Sequence, residues 1–184
     1  MTNPTIKHLA ALSQPIVWGP VKARFSVEAV DDESLISNIS IIPTVGDKYV
    51  VMKIDSGLWE LIGGTLEPYE HYMHALAREL REEIGAELIS YHIFGHFHCK
   101  SNAALPYRPH IPHPYFIRVV GVGEVKIVST PLNPPDGEQV IAVELVDYTE
   151  AVRRFEDIGR TDLADLYRLA HEMMIRQREE GEHG

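Results

Sequence analysis

The chain has 184 residues, 45% of them apolar, and a formal net charge of −10. That length suits one domain with its own core, and so acidic a balance argues against DNA, RNA or an anionic membrane as partner. A small phosphorylated partner stays open, because carboxylates that gather divalent cations would in turn attract phosphates.

Residues 1–20 contain Pro4, Pro15, Gly19 and Pro20 and read as an arm with one helical turn around 6–12. Residues 21–180 then read as a single domain and 181–184 as a tail, with charge and fraying expected from Arg176 on. The first residues lack a basic start followed by a continuous apolar stretch. No apolar run reaches bilayer length. With a lone Cys99 there is no intrachain disulfide, so a cytoplasmic setting is expected. Strand patterns cover 21–30, with Phe25, Val27 and Ala29 on one face, then 36–45 and 49–54 as a hairpin turning at Gly46-Asp47-Lys48. A short apolar strand at 58–62 leads to Gly63-Gly64. The period then changes: Met73, Leu76, Ala77, Leu80 and Ile84 recur at steps of three and four, the buried face of a helix running from about Glu70 to Ile84. Pro68 suits its first turn and Gly85 its C-terminal cap. Strands follow at 88–97, 115–122, 125–128 and 140–146, separated by loops at 101–114 and 130–137. Helices at 148–155 and 161–179 complete an α/β (α+β) domain with a mixed central sheet and helices against it.

The chemistry concentrates between Gly63 and Gly85. Glycines between a strand and a helix let a phosphate or cation approach the main chain. Glu70 stands near the helix start, where the macrodipole favours a carboxylate. Arg78 brings a planar fork suited to carboxylate or phosphate. Glu79, Glu82 and Glu83 are spaced to share one face, so they repel and raise each other's pKa unless a positive group sits among them. Arg78 offsets only part of this. A hard divalent cation, Mg²⁺ or Mn²⁺, offsets the rest. A solvated acidic face with Arg78 and Arg81 in surface pairs is the plainer alternative. The apolar stripe beside the acidic face and the Gly-Gly ahead of it favour the metal site.

Gly64, five residues, Glu70, seven residues, Arg78-Glu79-Leu80, one residue, Glu82-Glu83, one residue and Gly85 together resemble the Nudix box. By average residue frequencies, a chance match in such a chain falls below about one in a million. The last box position, usually bulky and aliphatic, is Ala86 here. The resemblance to the Nudix (MutT-like) hydrolase family implies an α/β/α sandwich and a Mg²⁺- (or Mn²⁺-) dependent pyrophosphohydrolase. It would cleave a nucleoside diphosphate linked to another group, by attack of water on phosphorus. Carried over, Glu79, Glu82 and Glu83 would bind metal with the backbone near Gly63 and Gly64, and Glu70 and Arg78 would brace the loop against the helix. One of the three glutamates, or a Glu on a later loop, would orient or deprotonate the water. Glu138 is favoured for that later position over Glu144 and Glu124.

His92, His96, His98, Cys99, His110 and His113 crowd one stretch, but their spacing matches no zinc pattern, and Cys99 would face away from His96 and His98. The long 101–114 loop, with Tyr107, Arg108, His110 and His113, fits a substrate-binding loop. Aromatic side chains that could hold a base are Trp18, Trp59, Tyr107 and Tyr115. No branch marker for ADP-ribose, dinucleoside polyphosphate, NADH or coenzyme A stands at its usual place, so the substrate class stays at small phosphorylated molecules. Two other readings compete: a Nudix-like nucleotide sensor that does not cleave, opposed by the complete set of glutamates, and an interaction protein with a solvated acidic face. A homodimer through the arm and residues 21–30 is compatible with the sequence.

Overall fold

In the computed structural model, residues 5–182 are described. Strands β1 (Ile16–Trp18), β2 (Val21–Ser26), β3 (Ile36–Val45), β4 (Lys48–Ile54), β8 (His92–Ser101), β9 (Tyr115–Ile127) and β10 (Val140–Val146) form one sheet in the order β1-β2-β8-β9-β3-β4-β10. Short strands are added to it: β5 (Trp59–Glu60) on β4, β6 (Ile62–Thr65) on β3, and β7 (Ala86–Leu88) on β9. The pairing is antiparallel except at the centre, where β3 and β9 run parallel.

Alternation along the strands divides the core in two. Ile39 and Ile41 of β3 and Ile117 and Val119 of β9 meet Leu76 and Leu80 of α1 (Tyr72–Glu79) and the turn after it. Ile42, Phe97 and Val120 face the opposite way, against α2 (Tyr148–Asp157) and α3 (Thr161–Glu182), where Phe155, Leu166 and Tyr167 are buried. Helices therefore cover both faces of a mixed sheet, the α/β/α arrangement expected. Among the described residues no helix is long and apolar enough to cross a membrane.

Several local expectations are corrected. The strand expected over 21–30 leaves the sheet after Ser26, whose hydroxyl takes the Glu28 N–H in a local turn that competes with the ladder. In place of one strand at 58–62 there are two, and Gly63 and Gly64 lie inside β6, paired with Ser40 and Ile39, rather than in a loop. The break expected between 122 and 125 is absent, because β7 pairs with β9 from Leu88↔Val125 to Ala86↔Ile127 and carries the strand through. Helix α1 starts at Tyr72, not Glu70: Tyr69 has φ +62°, and His71 caps the helix by accepting the Met73 N–H. It ends in a wider π turn, Leu80–Ile84, closed by Gly85 at φ +62°. Helix α3 runs to Glu182, so Arg176 onward continues the helix; residues 183 and 184 lie outside the described residues.

In the segment expected as an arm, residues 1–4 are outside the described residues. Beyond them Leu9 and Leu12 are buried in the α3-side core, and the Ala11 N–H donates to Asp165 Oδ2 of α3 at 2.8 Å.

Candidate functional site

Two glycines on β6 set the geometry. Gly63 has φ +138°, and a Cβ there would lie 2.2 Å from the Ile39 carbonyl oxygen. A Cβ at Gly64 would lie 2.1 Å from Glu79 Oε1. Gly63 demands glycine for its backbone, whereas a glycine at Gly64 leaves room for a carboxylate to rise beneath the strand.

Around this strand the box residues assemble. Arg78 grips Glu70 with two bonds, Nε to Oε1 at 3.0 Å and a terminal nitrogen to Oε2 at 2.9 Å. That second nitrogen also donates to the Thr65 carbonyl at 3.3 Å. Its other terminal nitrogen reaches Glu79 at 2.9 Å and Glu82 at 3.3 Å. Glu70 in turn accepts the Glu67 N–H at 2.8 Å, which ties the 66–71 segment to the helix. The π turn sends Glu83 the other way, where its Oε2 accepts the Gly63 N–H at 2.8 Å. Wide turns of this kind recur at functional sites. Here one separates the partners of neighbouring glutamates: Glu82 goes to Arg78 and Glu83 to the glycine strand.

The electrostatics follow from that placement. Arg78 holds the Glu70 carboxyl below the usual carboxylate range, and the carboxylates keep Arg78 charged. Burial pushes Glu79 up although Arg78 pulls against it. Burial pushes Glu83 well above the usual range, opposed by the Gly63 N–H and reinforced by Glu79, Glu138 and Glu82. Two carboxylates whose ionised form is disfavoured therefore meet adjacent residues of β6, Glu79 at Gly64 and Glu83 at Gly63. With these rotamers no three His, Cys, Asp or Glu side chains among the described residues converge into a cage for an ion. Arg78 stands between Glu79 and Glu82, and Glu83 is engaged by Gly63.

Glu138 is exposed on the loop before β10, yet its charge reaches both Glu83 and Glu60. The two rivals lie elsewhere: Glu144 pairs with Arg154 at 2.8 Å, and Glu124 is exposed on β9 opposite Thr44. In the 102–114 loop, Tyr107 and His113 line a cavity of about 450 Å³. Arg108 instead pairs with Glu67 at 3.4 Å with its guanidinium over the Tyr107 ring, and His110 Nε2 meets the Leu66 carbonyl at 2.7 Å. Those two contacts lay the loop over the segment that enters α1.

Of the other histidines in the 92–113 stretch, His92 is exposed at the start of β8. His96 and His98 meet through their Nε2 atoms at 2.8 Å, while the Cys99 thiol is buried in the α3-side core and pushed up to about 12.

Sequence reasoning missed a second group. A cavity of about 240 Å³ opens against Gly63 and Gly64 on the α3 side of the sheet, lined by Asn38, Glu60, Arg118, Arg160 and Asp162. Arg118 lies level with Asn38 on β3 and Phe97 on β8, which fixes the face it shares with them. Trp18, one of four aromatics considered for holding a base, packs edge-on to Phe97 at 5.0 Å and carries the Arg118 guanidinium over its ring at 5.0 Å. Trp59 is covered by Arg154 at 4.3 Å, and Tyr115 is exposed beside Lys100. Single charged residues within strand patterns gave no signal that would have singled out Glu60 or Arg118.

The family profile described as NUDIX domain matches residues 37–169. The chain is similar to a CTP pyrophosphohydrolase of Escherichia coli (strain K12), 59% identical over 32 residues, which are 17% of this chain and 24% of that protein. It is likewise similar to the nucleoside triphosphatase NudI of Klebsiella pneumoniae (strain 342), 54% identical over 37 residues, 20% of this chain and 26% of that protein. The chain thus spans about a quarter of the length of these curated relatives. The crystal structure of a mutant of the Bacillus subtilis pyrophosphohydrolase BsRppH superposes with a TM-score of 0.54 at 16% identity, over 68% of this chain and 72% of that one, a likeness of fold. The profile extends from the first residues of β3 well into α3 and so takes in the glycine strand, the glutamate helix and the sheet between them: the chain belongs to the Nudix family.

Proposed function

We propose that the protein is a pyrophosphohydrolase that uses Mg²⁺ or Mn²⁺ to cleave a nucleoside diphosphate derivative, nucleoside triphosphates included. The observation that carries this reading is the pair of desolvated carboxylates, Glu79 against Gly64 and Glu83 on the Gly63 N–H, brought to one strand by one helical segment that also carries Glu82. The relatives named for CTP and for nucleoside triphosphates support a nucleotide substrate. The single buried cysteine fits a cytoplasmic setting.

The residues fit a hard dication. All three are carboxylates, the donor type such ions prefer. Two carry a burial penalty on their charge that a nearby cation would relieve. Glu79, Glu82, Glu83 and the Gly64 backbone would hold it. When bound it would polarise phosphoryl oxygens, lower the pKa of water and stabilise the leaving phosphate.

The chain's own groups do the positioning. Arg78, locked by Glu70, keeps the glutamates and the 66–71 segment in one register. The glycine strand brings the phosphate chain within reach of the helix without a side chain between. Glu138, exposed on the loop before β10 and near enough for its charge to raise Glu83 and Glu60, would orient the attacking water and take its proton.

The test is phosphate release by purified protein against nucleoside triphosphates and nucleoside diphosphate derivatives, with Mg²⁺ or Mn²⁺ and beside a Glu83→Gln control. Metal-dependent release that the control loses is the expected result. Nucleotide binding with no release on any compound would replace the hydrolase with a sensor.

A further inference from the structure

The two cavities described above meet. The smaller, about 240 Å³, and the larger, about 450 Å³, share Trp18, Asn38 and Arg118 in their walls. Their chemistry differs. The smaller is bounded by the Gly63-Gly64 strand and by charged groups. The larger is walled by Leu105, Ile111, Pro112 and Phe116, together with Tyr107 and His113. Cavities that take a drug-sized organic ligand run roughly 300–1,000 Å³. The larger is within that range and the smaller is below it, so a nucleoside fits the first and a short phosphate chain the second.

The two arginines of the smaller cavity are not equivalent. Arg160 is neutralised: it grips Asp162 with two bonds at 3.0 Å and reaches Glu60 at 3.5 Å. Arg118 pairs with no carboxylate among the described residues. It is stacked on Trp18 and half-buried, with neighbours Asn38 and Phe97 fixed by strand register. Asn38 does not serve it either, since its amide donates to Thr65 Oγ1 at 3.0 Å and its oxygen accepts the Ser37 hydroxyl at 2.7 Å. Burial lowers the Arg118 pKa, and the charges of Asp162 and Glu60 offset that desolvation only in part, from beyond ion-pair distance. A planar fork held by an aromatic ring and left without an acid is suited to two parallel bonds from an oxyanion.

We infer that Arg118, stacked on Trp18 at the junction of the two cavities, binds the phosphate next to the nucleoside, the one that joins the base-bearing cavity to the glycine strand. This rests on the nucleotide-hydrolase reading and sharpens it. The phosphate held by Arg118 is the one kept with the nucleoside, and the chain beyond it runs past Gly63-Gly64 toward Glu79 and Glu83. Specificity for the 5′-phosphate then comes from Arg118, and specificity for the base from the walls of the larger cavity.

The experiment compares calorimetric binding of AMP, GMP, CMP and UMP with that of the four matching nucleosides, in EDTA, by the full chain and by Arg118→Met and Arg118→Lys. A charge-assisted pair predicts that the wild type binds its preferred monophosphate about tenfold or more tighter than the same nucleoside. Arg118→Met brings that ratio close to one, and Arg118→Lys, a point charge without the fork, keeps an intermediate ratio. A near-UV circular dichroism spectrum matching that of the wild type is the check that Arg118→Met has folded. A wild type with no preference for the monophosphate overturns the assignment, as does Arg118→Met that retains the preference or loses nucleoside and monophosphate alike. Metal-dependent phosphate release lost in Glu83→Gln would stand through any of those failures, which separates this assignment from the hydrolase reading.

Discussion

Adjacent glycines on one short strand make opposite predictions when each receives a methyl group. At Gly63 the new Cβ meets main chain, the Ile39 carbonyl oxygen at 2.2 Å and Ser40 Cα at 2.6 Å, at a φ of +138° that L residues avoid. The backbone strain is of order 1–3 kcal/mol and forced overpacking adds about 1–3 kcal/mol, so Gly63→Ala should lose about 4 kcal/mol. With a urea slope of about 2 kcal/mol/M, the midpoint falls by about 2 M. At Gly64 the new Cβ meets only the Glu79 carboxylate, at 2.1 Å. That side chain can swing away, at the loss of its bond to Arg78, so Gly64→Ala should lose only about 1 kcal/mol. Displacing a positioned group by about 1 Å costs a rate near 10²-fold, so phosphate release by Gly64→Ala should fall by about that factor. Urea melts followed by circular dichroism and initial rates of phosphate release, run on both variants, decide the matter. Equal midpoints for the two variants, or full turnover in Gly64→Ala, would refute the reading of this strand.

The Arg78–Glu70 pair is partly exposed, so a double-mutant cycle of Arg78→Lys and Glu70→Gln read by urea unfolding should give a coupling of about 1–2 kcal/mol, between the values of surface and buried pairs; zero coupling would remove its role as a brace. Burial holds His96 and His171 below the ordinary imidazole value, His171 while it contacts the Tyr49 hydroxyl at 2.8 Å. Both stay neutral in the fold while the unfolded chain takes up protons below about pH 6.5, so their contribution is complete above that pH and is lost as pH falls toward the folded values. Melting from pH 7.5 to 5 should show a Tm decline that His96→Gln and His171→Gln each shallow; parallel curves would contradict this. Tyr69 is fully exposed at φ +62°, so Tyr69→Gly removes strain with no packing to lose and should be neutral or stabilising by up to about 1 kcal/mol. A clear drop in Tm would show that the ring has a contact to lose.

The glutamate helix was legible because its information is local. Glu70, Arg78, Glu79, Glu82 and Glu83 fall within two turns and an entry loop, and their spacing alone brings them together. What spacing did not reveal was the π turn that gives Glu82 to Arg78 and Glu83 to Gly63, since helical periodicity assumes a uniform turn. Gly63 and Gly64 stood out as a pair but were read as a loop, because a four-residue strand with two glycines carries almost no strand signal. Arg118 and Asn38 were illegible for a different reason. Their meeting depends on the parallel register of β3 and β9, and nothing near either residue encodes it. The helices and the long strands, with repeating apolar patterns, were placed within a few residues; their ends failed where a side chain intervened, as Ser26 does on β2 and His71 before α1.

That central pairing has a consequence in time. The Ser37 hydroxyl meets the Ile117 carbonyl across 80 positions of chain, and the cavities exist only once β3 and β9 have met. Helix α1 draws on neighbours and can coil early, whereas closing so long a loop is slow and is rewarded only at the end. On the ribosome, a nascent chain that has already displayed its glutamate helix has no cleft until the strand ending at Ile127 emerges behind it. A half-made copy therefore presents the acid without the pocket, and the smaller cavity waits longer still, for the wall that Arg160 and Asp162 supply.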